Sequence, residues 1–311
     1  MPMDTPPMEG RQVYMKRVFK KSMNRTYLIL IFSAILYGSI STIAKSSLNT
    51  INPILLSSLI YLIIGIFLTA IVKIKKDIAN VNKDVIKLIF LTSVCGAVIG
   101  PILFFYGLKL TNASSSSLLI NAEFLFSILL AIFILKERPR RTAYIGIILI
   151  FTAVIILNLK INSIDFFQNN NFIGNILILS ATLFWALDNN ISKIILQKEI
   201  PIIKIIQIKS LIGGLLSFAI VFISNISLAI NISQIPSLIF LSLGGFAGSL
   251  FLFLKGMKEV GTIKSVMIFA TSSVFGVIFA FIFLKDNIEL WRIFSCLLTM
   301  IPGIYLISKN N

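Results

Sequence analysis

Ten stretches of this chain are apolar over roughly the length of one bilayer crossing, and that feature restricts its fold more than any other. Their approximate bounds are Tyr27 to Ser46, Pro53 to Val72, Ile86 to Leu108, Ser115 to Leu135, Thr142 to Leu157, Ile173 to Ser192, Ile202 to Ile223, Ile235 to Leu254, Ser265 to Leu284 and Ile288 to Ile307. A crossing takes about 20 apolar residues, so only the fifth, with sixteen, is marginal. Backbone N–H and C=O groups in hydrocarbon must be satisfied within their own segment, which makes each stretch a helix. Hydrophobic residues make up 57% of the chain and charged ones 13%, a balance that a water-soluble globule cannot sustain. The lipid bilayer is the main solvent.

The charges report topology. Lys and Arg exceed Asp and Glu by 28 to 12, an excess that in a soluble chain would point to nucleic acid. With the N-terminus in the cytoplasm, however, 23 of the 28 basic residues fall on the inner side, leaving Lys45, Lys109, Lys160, Lys285 and Arg292 outside. That is the positive-inside pattern of an even number of spans with both termini cytoplasmic, so no nucleic-acid partner is expected. Residues 1–26 form a basic cytoplasmic tail, in which Val13 to Lys21 is amphipathic enough to lie on the anionic inner leaflet. The first apolar stretch is too long for a cleaved leader and no small-x-small site follows it, so it stays as a span.

Histidine is absent, and Cys95 and Cys296 both lie inside apolar runs. Zinc, heme and disulfide chemistry are therefore not expected. No metal and no cofactor is predicted, and an enzyme would lack its commonest base.

Rare residues show that the chain is duplicated. At an offset of 148, Tyr37 matches Trp185, Lys45 matches Lys193, Pro53 matches Pro201, Gly96 matches Gly244 and Gly100 matches Gly248. At 149, Gly107 matches Gly256, Lys109 matches Lys258, Lys136 matches Lys285, and Glu137 matches Asp286. Because five is odd, the second copy enters from the opposite side, the inverted layout of many secondary transporters. The fold class expected is an all-α integral membrane protein of ten transmembrane helices, built as two inverted five-helix repeats at 27–158 and 173–308 joined by a polar external connector at 159–172.

With ten helices, the aromatic-to-lysine spacing Tyr37 to Lys45 and Trp185 to Lys193, and the acidic turns Lys136-Glu137 and Lys285-Asp286, the chain resembles the EamA branch of the drug/metabolite transporter superfamily from about Tyr27 to Ile307. The resemblance implies a multi-pass plasma-membrane carrier with a central cavity lined by the first, third, fourth, sixth, eighth and ninth helices, and members that export amino acids, other small metabolites or toxic compounds. Two departures stand out. Lys136 and Lys285 replace the glycine usual before the acidic residue of the turn, and Glu123 replaces a small residue or proline midway along the fourth helix.

Two carboxylates, Glu123 and Asp188, fall inside predicted spans, where an acid costs on the order of 3 kcal/mol. Either they face a partly wet cavity and exchange protons, or they tie helices together. On the sixth helix Trp185, Asp188, Asn189 and Ser192 stand at i, i+3, i+4 and i+7 and form one polar stripe. The matching face of the first helix carries Tyr37, Ser41 and Lys45. On the fourth, Ser116, Glu123 and Ser127 share a face, and its mate in the ninth offers Thr271, Ser272 and Ser273. This set suits a small polar or zwitterionic solute, with carboxylates for an ammonium group and rings for an apolar part.

Lys209 lies about 12 Å along its helix from Pro201. It is a candidate ion-pair partner for Asp188, although snorkelling to the inner surface is the plainer expectation. Lys45 and Lys193 read as interfacial anchors, and Tyr37 and Trp185 fit a cavity wall and ordinary packing equally. Gly96, Gly100, Gly244 and Gly248 form two GxxxG runs that allow close helix packing or hinge motion, or alternatively a dimer face. Pro101 loosens one turn. Ser114 to Ser117 lacks the spacing of a phosphate loop, which argues against ATP-driven transport. The function expected is secondary transport of a small organic metabolite by alternating access, driven by proton exchange or by the solute's own gradient, in a monomer or homodimer. The competing reading is a membrane scaffold, whose intramembrane polar residues need not converge on one cavity.

Overall fold

The computed structural model describes residues 8–71, 83–134, 141–142, 144–146, 148–149, 152, 170–198, 200–286 and 290–308, with side chains at most of these from Arg25 onward. Among these, every regular element is helical. Helix α1 runs unbroken over Met8–Ser47, so the backbone of the basic tail continues the first span. It is followed by α2 (Pro53–Ile71), α3 (Lys83–Ser93), α4 (Gly100–Leu110), α5 (Ala113–Leu119) and α6 (Ala122–Ile134), and in the second half by α7 (Asn170–Leu196), α8 (Ile202–Ile223), α9 (Ile235–Ile239), α10 (Ser249–Val260), α11 (Thr262–Phe269), α12 (Ser272–Phe279) and α13 (Leu290–Ser308). Seven helical runs are long and apolar enough to cross a bilayer, and Ser272–Leu284 is a shorter apolar one. Most of the fifth predicted span, residues 159–169 of the predicted connector and the Lys136-Glu137 turn lie outside the described residues, while 170–172 are already part of α7.

The expectation of continuous helices is corrected at five places; four match in pairs, and the fifth is a π-helical stretch at Ala280–Leu284 that ends the ninth span. In the third span a π-helical stretch at Val94–Ile99 joins α3 to α4, and in the eighth a stretch at Phe240–Gly248 joins α9 to α10. Gly100 N–H donates to the Cys95 carbonyl and Ser249 N–H to that of Gly244, the same wide register one residue away from the exact repeat match. The fourth and ninth spans break outright, at Ile120–Asn121 and Ala270–Thr271. Asn121, Glu123 and Phe124 donate to carbonyls three residues back, and Thr271, Ser273 and Val274 repeat that pattern at an offset of 150. These tight bonds keep the backbone satisfied within the membrane. The breaks also divide the Ser116, Glu123, Ser127 face predicted as continuous.

Packing interleaves the halves. Helix α1 lies against α10 and α12, while α7 lies against α4 and α6. The first span of each half therefore sits between the third and fourth spans of the other. Gly107 meets Gly174 and Ile178, and Gly256 meets Leu30, the mate of Ile178. Along the contact of α2 with α8, a Cβ at Gly65 would lie 2.8 Å from Leu211, and one at Gly214 would lie 2.7 Å from Leu62. Leu62 and Gly65 correspond to Leu211 and Gly214 at an offset of 149, so the contact is self-complementary. Its residue numbers rise on one helix as they fall on the other, so the two helices are antiparallel.

Two expectations about charges resolve at the spans' ends. Lys45 Nζ donates to the carbonyls of Leu108 (2.8 Å), Lys109 (3.2 Å) and Thr111 (2.6 Å), so it caps the C-terminal end of α4, where a cation opposes the helix dipole. Lys285 adopts φ 54° and ψ 32°, the left-handed conformation that glycine takes without strain. The turn thus keeps its shape despite the departure noted there. Asp286 accepts from the N–H and Oγ of Ser114, at 3.1 and 3.0 Å, at the start of α5.

Candidate functional site

Where the halves meet, a small cavity is walled by side chains from both. Its polar groups come from six helices, with Ser249 of α10 and Ser210 of α8 beside the larger ones. Tyr37 enters from α1, Tyr61 from α2, Glu123 from the first turn of α6, Asp188 and Asn189 from α7, and Lys209 from α8. Glu123, Asp188 and Lys209 are 4%, 4% and 3% exposed, so their partners decide what they can do.

The break before α6 explains how a carboxylate is tolerated at Glu123. It places the side chain in the first turn of α6, where the helix dipole favours negative charge. Glu123 Oε2 accepts from Tyr37 Oη at 3.1 Å, and Oε1 accepts from Asn189 Nδ2 at 2.6 Å. Both donors are neutral. Asp188 is held differently. Its Oδ2 pairs with the Lys209 ammonium, and Oδ1 accepts from Ser192 Oγ at 3.4 Å. Lys209 therefore does not snorkel. The buried carboxylate draws it inward, because an uncompensated charge at that depth costs several kcal/mol.

The first GxxxG run makes this arrangement fit. A Cβ on Gly96 would overlap the Asp188 carboxylate and lie 2.8 Å from Lys209 Nζ, and one on Gly100 would lie 2.6 Å from Trp185 Nε1. Pro101 then accounts for Tyr61. In the π register that residue would donate to the Gly96 carbonyl, but proline has no N–H. Gly96 O instead accepts from Tyr61 Oη at 2.9 Å. In the second run the nearest neighbour of Gly244 is the Phe240 ring of its own helical run, and Gly248 meets the Leu243 carbonyl and, more loosely, Leu36 of α1. It is Gly245 that touches Ile40 across the interface.

Aromatic rings line the rest. Tyr37 lies edge-on to Trp185 with centroids 6.2 Å apart and stacks near Phe269 at 4.7 Å, and Tyr61 lies 5.8 Å from Phe246. Of the residues singled out from the sequence, Tyr37, Glu123, Trp185, Asp188, Asn189, Lys209 and Gly96 meet here. Ser192 stands behind Asp188. Ser41 and Ser272 do not reach the lining: Ser41 Oγ is 3.5 Å from Ser116 Oγ, and the carbonyl of Ser272 packs against Gly38. Both are small residues that let α1 approach the broken fourth and ninth spans. Sequence reasoning missed Tyr61 and Phe246, whose signals, a lone tyrosine in an apolar second span and a phenylalanine beside a GxxxG, are too common to stand out. Among the described residues no group of His, Cys, Asp and Glu could hold a metal ion.

Comparison with known proteins agrees with this architecture. The chain matches the EamA-like transporter family twice, over residues 24–159 and 172–309. It belongs to that family, and it is a multi-pass membrane transporter. An uncharacterized transporter of Methanothermobacter thermautotrophicus is 29% identical over 98% of this chain and 90% of its own length. An uncharacterized transporter of Bacillus subtilis, YetK, is 24% identical over 92% of this chain and 87% of its own. A crystal structure with 16% identity superposes at a TM-score of 0.69, covering 92% of this chain and 97% of the other, a likeness of fold.

Proposed function

We propose that this chain is a secondary carrier that exports small amine-bearing metabolites, amino acids or related polar solutes, by alternating access coupled to proton exchange at Glu123. The observation that carries the reading is the convergence of Glu123, Asp188 and Lys209 on one aromatic-walled cavity at the junction of the halves. A scaffold has no need to bring its intramembrane charges to one place. A solute ammonium is matched by carboxylates, and its apolar part by rings. Glu123, with two neutral donors, can gain a proton without breaking an ion pair.

The antiparallel contact of α2 with α8 is what inverted copies produce, and it supports two opposed five-helix repeats at 27–158 and 173–308, with 159–172 outside. In this reading the chain lies in the plasma membrane with both termini cytoplasmic, and 1–26 is its basic inner tail. The breaks and π turns flank the cavity at equivalent places in each half, where a rocking motion would be absorbed.

The test is a thermal-shift screen of purified protein against amino acids, nucleosides, sugars and organic cations, followed by flux of the best solute into proteoliposomes. Flux that collapses with the pH gradient in the native chain, and no longer responds to pH in Glu123→Gln, is the expected result. Unchanged flux and pH response in that variant would falsify the coupling. Labelling of single thiols placed at 136 and 285 tests the topology, since inverted repeats expose them on opposite sides.

A further inference from the structure

The Asp188–Lys209 pair does not resemble a finished structural ion pair. An ammonium has three N–H donors, and among the described residues Lys209 Nζ uses Asp188 as its acceptor and no other. Asp188 Oδ1 has only the long Ser192 bond at 3.4 Å. A buried pair that holds a fold together has its remaining donors and lone pairs met by fixed groups. Here the unused capacity faces the cavity, which both residues line, and Gly96 supplies no side chain to screen them from it. The rings of Tyr61, Trp185 and Phe246 on the same wall offer π faces to a cation.

We infer that Lys209 is a built-in competitor for the solute: its ammonium fills the cationic position at Asp188 while the carrier is empty, and a solute ammonium takes that position by displacing it. The inference rests on the proposed amine-bearing substrate and adds a means of control at the same site. No bond is made or broken beyond the exchange of one ammonium for another on Asp188, and the displaced Lys209 ammonium turns to the Glu123 carboxylate, which lines the same cavity. The empty carrier thereby avoids exposing a bare carboxylate at mid-membrane, and weak cations that cannot outbid a tethered lysine are refused. The other titratable groups around the pair are Tyr37 from α1, Tyr61 from α2, Cys95 from the π turn after α3 and Glu123 from α6.

Trp185 supplies the readout. The chain has two tryptophans, and in a Trp291→Phe background the cavity residue reports binding by its fluorescence. The probes are 2-phenylethylammonium, which carries a cation and a ring, and phenylacetate, which carries an anion and the same ring. Removing the competitor with Lys209→Met raises the share of carriers whose Asp188 is open, so the cation should bind about tenfold tighter or more, while phenylacetate gains nothing. Lys209→Arg keeps a charged competitor and should show no gain, and Asp188→Asn with Lys209→Met should abolish it. Should Lys209→Met fail to insert, Lys209→Gln, which leaves a neutral donor beside Asp188, carries the same test.

Equal or weaker cation binding in the Lys209 variant, a gain shared by phenylacetate, or a gain that survives Asp188→Asn overturns the inference. Absence of probe binding in every protein overturns it too. Flux of the screened solute then separates the two readings: if flux persists, the carrier reading stands without a competitor role for Lys209, and if flux is absent, both fall.

Discussion

Gly96 and Asp188 approach so closely that a methyl group on the first would occupy the place of the carboxylate on the second. The third span is thereby fitted to the charge on the sixth. Gly96→Ala should separate Asp188 from Lys209, and breaking a buried pair costs about 3–5 kcal/mol. Gly244→Ala, at the matching position, meets nothing nearer than a ring carbon at 3.4 Å and should be tolerated. Melting midpoints and solute flux of the two variants, compared side by side, check this; equal damage from both would refute the asymmetry.

The two carboxylates should respond differently to neutralisation. Glu123→Gln keeps an acceptor for Asn189 and leaves no stranded charge, so the protein should insert normally and lose the pH response of its flux. Asp188→Asn strands the Lys209 ammonium at 3% exposure and should cost about 3–5 kcal/mol, most of which the double change with Lys209→Met should recover. Apparent unfolding midpoints in detergent measure the difference.

Lys285 occupies a left-handed conformation at φ 54° that costs a side-chain-bearing residue about 1 kcal/mol. Lys285→Gly should therefore raise the unfolding midpoint. Lys285→Ala, which removes the charge but keeps the Cβ, should not. A gain in both variants would assign the effect to charge instead.

Removing the cap on α4 is a fourth check. Lys45→Met leaves the carbonyls of Leu108, Lys109 and Thr111 without their shared donor and should destabilise the chain by up to about 2 kcal/mol. Lys45→Arg should retain most of that, and no loss in Lys45→Met would show that water replaces the cap.

Much of the architecture was already legible in the chain. Apolar stretches of bilayer length and the recurrence of rare residues at a fixed spacing follow from constraints that act along one dimension: hydrocarbon solvation and duplication. The polar stripe Trp185, Asp188, Asn189 and Ser192 was legible for the same reason, since helical periodicity alone puts these residues on one face. The partners of those residues required the third dimension. Whether Lys209 reached the inner surface or Asp188 depended on the depth at which α8 packs against α2 and α3, and Tyr61 joined the site only because Pro101 left a carbonyl vacant. The breaks at Asn121 and Thr271 escaped notice because their residues are ordinary in a helix, and the tight turns are stabilised by packing between the halves. Solvent preference is written residue by residue, whereas the pairing of buried charges depends on distances that exist only once the two halves interlock.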